Sequence, residues 1–320
     1  MFSFSLFPFL SCSSRSNQTD ISLFEIIQSG TYREIKKAIK QGADVNEVNS
    51  FGSTPLMFSF LNKESKVPGL LIISGADVNA VNSQGWTPLF YAVEIRHDNI
   101  INTLKLLVKS GADLEARIPS GQTPLAYAAE VNRNHKVIKT LIDLGANIDA
   151  ESNTGITPLF YAILHNTLGT VEILLESGAD VNATDEDNYT PLAYSTGRKK
   201  ENINEVIILL LNSGADTNIT DRYGVSPLIY AIAENHDLGI IQKMIDKGAN
   251  INHRDHDDLT PLMAAAIFTN NSNLILYLLE HGADPTIRDA EGKTTADYLA
   301  LNPSIRNTET YKILLDKLNQ

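Results

Sequence analysis

The chain has 320 residues, 43% of them hydrophobic and 20% charged, the balance of a folded protein long enough for two domains or one extended array. A single cysteine, Cys12, excludes an internal disulfide framework and a cysteine-built zinc site, and no run of 18 apolar residues is present to span a membrane. The net charge of −12 is uneven. Residues 1–160 carry 14 Lys+Arg against 15 Asp+Glu (net −1) and residues 161–320 carry 12 against 23 (net −11), which disfavours a nucleic-acid partner because phosphate contacts need a basic face.

Residues 1–19, MFSFSLFPFLSCSSRSNQT, stand apart from the rest of the chain. A Phe/Leu-rich run ends at Ser11-Cys12 and gives way to a polar stretch, which resembles the end of a bacterial lipoprotein signal with Cys12 as the residue to be acylated. The segment departs from that pattern in having no basic residue before the apolar run and in being short, and a start codon lying upstream would supply both. The other reading is a flexible tail with a free thiol. Membrane attachment is expected only if Cys12 is acylated, and otherwise a cytoplasmic location.

From Asp20 to the end the chain reads as one array. Gly155–Asn182, GITPLFYAILHNTLGTVEILLESGADVN, shows the plan of a unit. Gly155 suits a turn with positive φ, Thr157 is placed to cap a helix through its hydroxyl, and Pro158 falls at the first helical position. Leu159, Ala162 and Ile163 share one face. After a break at Asn166–Gly169, Val171, Leu174 and Leu175 give a second short helix an apolar face, and Gly178 closes it. Asp180 and Asn182 are expected to bond their own backbone in a turn. Two helices this short are marginal alone and must stack on copies of themselves.

The copies are present. The entry signature recurs at Gly52, Gly85, Gly121, Gly155, Asn188, Gly224, Asp258 and, as GKTTA, at Gly292; the exit signature GAD or GAN recurs at Gly42, Gly75, Gly111, Gly145, Gly178, Gly214, Gly248 and Gly282. Both series step by 33, 36, 34, 33, 36, 34 and 34 residues. The units are therefore about 20–51, 52–84, 85–120, 121–154, 155–187, 188–223, 224–257, 258–291 and 292–320. The first, with helices expected over 21–29 and 32–40, lacks the Thr-Pro-Leu entry. The last, with a short helix over 296–301 and a final one over 308–318, presents a polar outer face; both suit terminal caps. The steps repeat after three units, a sum of 103 residues, so a three-repeat block is duplicated, with Tyr127-Ala128 answering Tyr230-Ala231. The longer units place extra residues around Arg96-His97-Asp98 and Arg198-Lys199-Lys200, on one edge of the array and three units apart.

Thr-Pro-Leu at a period near 33 residues resembles the ankyrin-repeat family over about residues 20–320. The resemblance implies an all-α solenoid of helix-turn-helix units with short hairpin loops, seven full repeats with N- and C-terminal caps, and non-catalytic protein binding through a concave face and loop tips. The family's His after Thr-Pro-Leu is replaced here by Met57, Phe90, Ala126, Phe160, Ala193, Ile229 and Met263, so apolar contact is expected in place of its hydrogen bond.

No phosphate loop, nucleophile elbow, HExxH or cofactor motif is present, and the seven histidines are scattered. The run His253-Arg254-Asp255-His256-Asp257-Asp258 offers imidazole and carboxylate for a divalent ion, yet it falls on an exposed hairpin with Arg254 inside it, and a solvated loop is the expectation. Tyr91, Tyr127, Tyr161, Tyr194 and Tyr230 recur at one place per repeat, which the resemblance puts on the concave side. They serve either as packing against the neighbouring repeat or as a recognition strip, with Trp86, Tyr189, Phe51 and Tyr223 at adjoining loop ends. The loop tips Val48–Gly52 and Val81–Gly85 are uncharged, whereas those of the second half carry Asp185, Glu186 and Asp187, then Asp221, then Asp255, Asp257 and Asp258, then Asp289 and Glu291. A basic protein segment is the expected partner; an envelope-tethered spacer is the alternative role.

Overall fold

The computed structural model describes residues 22–62, 65–96, 98–165, 168–198 and 201–318. Cys12 and the signal-like segment lie outside them, as do His97, Lys199 and Lys200. The described residues form helices and turns without a strand. The helices come in pairs: α1 (Leu23–Ser29) with α2 (Tyr32–Lys40), α3 (Pro55–Ser59) with α4 (Val67–Ile73), and α5 (Pro88–Val93) with α6 (Ile100–Lys109). Next are α7 (Pro124–Val131) with α8 (His135–Asp143), α9 (Pro158–His165) with α10 (Leu168–Glu176), and α11 (Pro191–Thr196) with α12 (Ile203–Asn212). The last three are α13 (Pro227–Ala233) with α14 (Leu238–Asp246), α15 (Pro261–Phe268) with α16 (Ser272–Glu280), and α17 (Thr295–Leu301) with α18 (Glu309–Leu318).

Each first helix packs on the first helix of the next unit, and the second helices do likewise from α2 to α14 and again between α16 and α18. One hydrophobic core therefore runs from Leu23 to Leu314. Burying each Leu or Ile in it contributes about 1.5–3 kcal/mol, which is what holds helices too short to stand alone. The residues that replace the family's His, from Met57 to Met263, are all buried in the stack.

The punctuation works largely as expected. The hydroxyls of Thr54, Thr123, Thr190, Ser226 and Thr260 accept the backbone N–H three residues on. Thr157 does not: its buried hydroxyl finds no partner, and neither does that of Thr87. Both stand three residues before a fully buried phenylalanine, Phe160 or Phe90. Gly178 takes φ +94°, as every GAD/GAN glycine takes a value between +92° and +99°. At the entry turn Asn188 (φ 64°) and Asp258 (φ 61°) hold the left-handed conformation that glycine holds elsewhere, which their short polar side chains tolerate. The second helix of the fifth pair starts at Leu168, so Gly169 is helical rather than part of the break, and Leu175 is half-buried, not core.

Two ladders tie unit to unit. In the first, Asn182 reaches forward instead of closing its own turn: its amide donates to the Gly214 carbonyl and its oxygen accepts from the Asp216 N–H at 2.8 Å. Asn46, Asn79, Asn218 and Asn252 do the same. Glu115 and Asp149 stand at this position in two units and accept only, from Asn147 and Asp180, because a carboxylate has no donor to offer. The repeats are thus joined by polar links as well as by the apolar contact that the sequence predicts. In the second ladder a loop N–H meets the preceding loop's carbonyl, as in Glu186 to Thr154, Arg222 to Asp187 and His256 to Tyr223. Pro119 occupies the donor's place in one loop and cannot contribute.

Candidate interaction surface

The tyrosine column is built from the loop before it. Where the first residue of a hairpin turn carries a side-chain oxygen it accepts two backbone N–H groups: Asn82 those of Gln84 and Trp86, Asp185 those of Asp187 and Tyr189, Asp221 those of Tyr223 and Val225, Asp255 those of Asp257 and Leu259. Nine residues after Asn82, Asp185 and Asp221 stands a tyrosine, and at Asn82 and Asp221 the two ends meet. The Asn82 amide donates to the Tyr91 hydroxyl at 3.0 Å, and the Tyr230 hydroxyl donates to Asp221 at 2.6 Å. Tyr298 and Asp289 are paired in the same way. Tyr127 follows Ile118, which offers no acceptor, and its hydroxyl donates to Glu94 at 2.5 Å instead. Burial pushes the Tyr127 hydroxyl far above the usual phenol range, and the bond to Glu94 adds to the shift.

All five column tyrosines are half-buried, and four of them, Tyr91, Tyr127, Tyr194 and Tyr230, have rings against neighbouring aromatics. Trp86 packs edge-on against Tyr91 at 5.4 Å and Tyr127 at 5.0 Å between centroids. One block later, Tyr189 packs against Tyr194 at 5.7 Å and Tyr230 at 5.9 Å. The Tyr189 hydroxyl also bonds that of Tyr230 at 3.0 Å, and Tyr161 sits beside Ser152. Trp86 and Tyr189 are thus half-buried members of the strip. Phe51 and Tyr223 differ, being 45% and 53% exposed. The Arg222 guanidinium covers the Tyr223 ring at 4.9 Å and pairs with Asp187 at 2.5 Å.

The acidic tips divide into two kinds. Glu186 and Asp257 are exposed and Asp258 is half-exposed, paired with Arg254 at 2.9 Å. Asp221 is only 4% exposed, so it is no part of a surface patch: its turn and Tyr230 use both carboxylate oxygens. Asp185 is half-buried by the same turn, and burial raises its carboxyl above the usual range. In the run from His253 to Asp258, the His253 ring nitrogen bonds the Gly224 carbonyl at 2.7 Å, and among the described residues no group of three His, Cys, Asp or Glu converges as metal ligands would.

Three further residues belong to this face: Glu94 and Glu130, which sequence reasoning does not single out, and Arg198, which it names only among the extra residues of a longer unit. Glu94 bonds Tyr127. Glu130 accepts from Gln122 at 2.7 Å. Arg198 lays its guanidinium over Tyr194 at 4.6 Å. A shift of the chain by 103 residues brings them out, since Glu94, Ile95 and Glu130 fall on Gly197, Arg198 and Ala233. Clefts of about 360 and 370 Å³ flank Ile203, one lined by Tyr194, Arg198 and Glu234 and the other by Asn202, His236 and Asp237.

A continuous stack of helix pairs, displaying an aromatic strip on one row of helices and hairpin tips beside it, defines a repeat solenoid of the kind that binds along its length. Models of ankyrin repeats match residues 23–118, 99–185 and 182–255 in one form and 244–299 in another. The chain belongs to the ankyrin-repeat family. Among solved structures it is similar to the ankyrin repeat domain of Bcl-3, described as a unique member of the IkappaB protein family, at 26% identity and a TM-score of 0.62, covering 72% of this chain and 100% of that one. No curated protein matches it. Ankyrin repeats are generally non-enzymatic interaction domains, and the chain is a protein–protein interaction scaffold. No helix among the described residues is long and apolar enough to cross a membrane.

Proposed function

We propose that a protein partner lies along the row of first helices, concave in this solenoid class, touching the strip of Trp86, Tyr91, Tyr127, Tyr161, Tyr189, Tyr194 and Tyr230 and the tips that carry Tyr223, Asp185, Glu186, Asp187, Asp257 and Asp258. The observation that carries this is the recurrence of a half-buried aromatic ring at one place in five consecutive units. Their hydroxyls are largely engaged with turn residues and neighbouring tyrosines, so the strip offers ring faces and edges on a rigid base, which suits recognition at low entropic cost. The partner carries a basic segment. Exposed carboxylates on the tips of the second half attract it, acting on association rate and screened within about 8–10 Å at physiological salt.

The test is affinity capture with the full chain, repeated with a first-helix variant, Trp86→Ala/Tyr127→Ala, which alters the strip along the first helices, and with Glu172→Ala/Glu205→Ala on the second helices. A protein retained by wild type and by the second-helix variant but lost by the first-helix variant, at matched melting temperature, supports the reading. Equal retention by both variants contradicts it.

A further inference from the structure

The duplicated block presents the same aromatic cluster twice with different company. In the second copy Tyr189, Tyr194 and Tyr230 gather, and the chain supplies its own cation: the Arg198 guanidinium lies 4.6 Å from the Tyr194 ring centre. In the first copy Trp86, Tyr91 and Tyr127 gather with the same spacing. The arginine's place is taken by Ile95, and two carboxylates appear where the second copy has Gly197 and Ala233: Glu94 and Glu130.

Tyr127 is the centre of this first cluster. It touches Trp86 and Phe90, donates its hydroxyl to Glu94, and feels the charge of Glu130. Glu94 accepts that hydroxyl on Oε1 and Glu130 accepts Gln122 on Oε2, which leaves the other oxygen of each free to accept more. Neither carboxylate forms an ion pair among the described residues. The nearby Arg96 is directed at the Val131 carbonyl. Aromatic faces with adjacent unpaired carboxylates are what a cation needs, and tryptophan is the strongest aromatic partner for one. The planar guanidinium can lie on a ring while its edge N–H groups reach carboxylates, as a lysine ammonium cannot.

We propose that Trp86, Tyr91, Tyr127, Glu94 and Glu130 form a subsite for an arginine side chain of the protein partner, the intermolecular counterpart of the Arg198–Tyr194 stack. This rests on the first-helix row being the binding face, and it names the residue that the first block reads.

Trp86 is the chain's single tryptophan, so its indole N–H gives one resonance and reports this cluster alone. The ¹⁵N-labelled full chain is titrated with acetyl-Gly-Arg-Gly-amide and with the same peptide carrying citrulline, a neutral isostere of arginine. The arginine peptide should shift the Trp86 indole signal saturably, and the citrulline peptide should bind about tenfold more weakly or less. Glu94→Gln/Glu130→Gln, which keeps shape and the Tyr127 hydrogen bond, should weaken the response by a similar factor, and Ile95→Arg should block it by installing the second block's own cation. No saturable shift with arginine, an equal response to citrulline, or an unchanged response in a folded Glu94→Gln/Glu130→Gln variant overturns the subsite. If a variant does not fold, the comparison of the two peptides on wild type still decides. Because a partner could contact the rest of the first-helix row without this cluster, failure here leaves the capture experiment to judge the broader reading.

Discussion

Residues 52–154 and 155–257 repeat one another at 103 residues, yet the hairpin turns of the first begin at Asn82, Ile118 and Ser152 and those of the second at Asp185, Asp221 and Asp255. Asn82 accepts its two N–H groups at 3.0 and 2.9 Å, and Asp185 accepts its own at 3.0 and 2.8 Å. The turn therefore needs an oxygen acceptor and not a charge. Only part of the acid in the second half is occupied in turns, and the three hairpin-turn aspartates Asp185, Asp221 and Asp255 each have an uncharged equivalent one block earlier. Folding does not explain a net −1 half beside a net −11 half. The loop without an acceptor is held differently: Arg117 donates to the carbonyls of Gly121 and Glu151, and the neighbouring Pro119 breaks the loop ladder.

Swapping residues between the blocks tests how far the copies have diverged. The largest effect is expected at Phe90, fully buried against Trp86 and Tyr127, whose counterpart is Ala193. Phe90→Ala should cost about 3–5 kcal/mol in urea unfolding, although alanine is native at the equivalent site, and Ala193→Phe about 1–3 kcal/mol from overpacking. Free exchange at both sites would mean that the blocks share one core.

Gly75 and Gly178 are also 103 residues apart, with φ +92° and +94° and open space where a Cβ would sit. Each Gly→Val change should cost about 1–2 kcal/mol, from backbone strain and not from collision. Equal losses of Tm sharpen the comparison by showing that the blocks share their backbone, while a loss confined to one block would break it.

Acid should separate the regions further. The Tyr298 hydroxyl holds the Asp289 carboxyl below its usual range, and the Thr294 backbone N–H does the same for Asp297. A depressed carboxyl stabilises the fold above its unfolded pKa of about 4 and loses that contribution as pH falls through the folded value. Asp185 is shifted the other way by burial, so its protonation favours the folded state on acidification. Hydrogen exchange below pH 4 should therefore lose protection around α17 before it does around Asn82 and around Asn49, which accepts the Phe51 and Ser53 N–H groups in the same way, since neither turn has a titrating group. Uniform loss would contradict this.

The smallest effect on stability should come from Asp185→Asn, Glu186→Gln, Asp187→Asn, Asp257→Asn and Asp258→Asn together. Asparagine keeps the turn bonds of Asp185, as Asn82 shows, and Asn188 already holds the φ that Asp258 needs. The exposed pairs with Arg222 and Arg254 are worth at most about 1 kcal/mol each. Association with the captured partner, followed by stopped flow, should nevertheless slow about tenfold at low salt and lose most of its salt dependence. An association rate indifferent to salt and to the five changes rules out steering.

How much of the molecule is legible in its sequence depends on the range of each interaction. The glycine, threonine and proline of each entry act within one turn of chain, so GITPL and GAD mark the helices directly. Whether a given hydroxyl bonds depends on tenths of an ångström, and Thr157 misses. The Asn182 amide bonds a carbonyl 32 residues away, and Asp221 is buried by Tyr230 nine residues on. Neither is visible in local propensity, although the fixed offset between turn residue and tyrosine is present in the sequence. Glu94 and Glu130 are inconspicuous in a single unit, and only the block-to-block alignment makes them stand out.

The most direct test of the central claim is a photo-cross-linking map made in cells that express the protein. A benzophenone amino acid is placed in turn at Tyr91, Tyr161 and Tyr194 on the first helices and at Glu172, Glu205 and Lys243 on the second. The account predicts that one partner cross-links from the first-helix positions and from none of the second-helix positions. Cross-links to that partner from the second-helix positions, with none from the tyrosines, would contradict it.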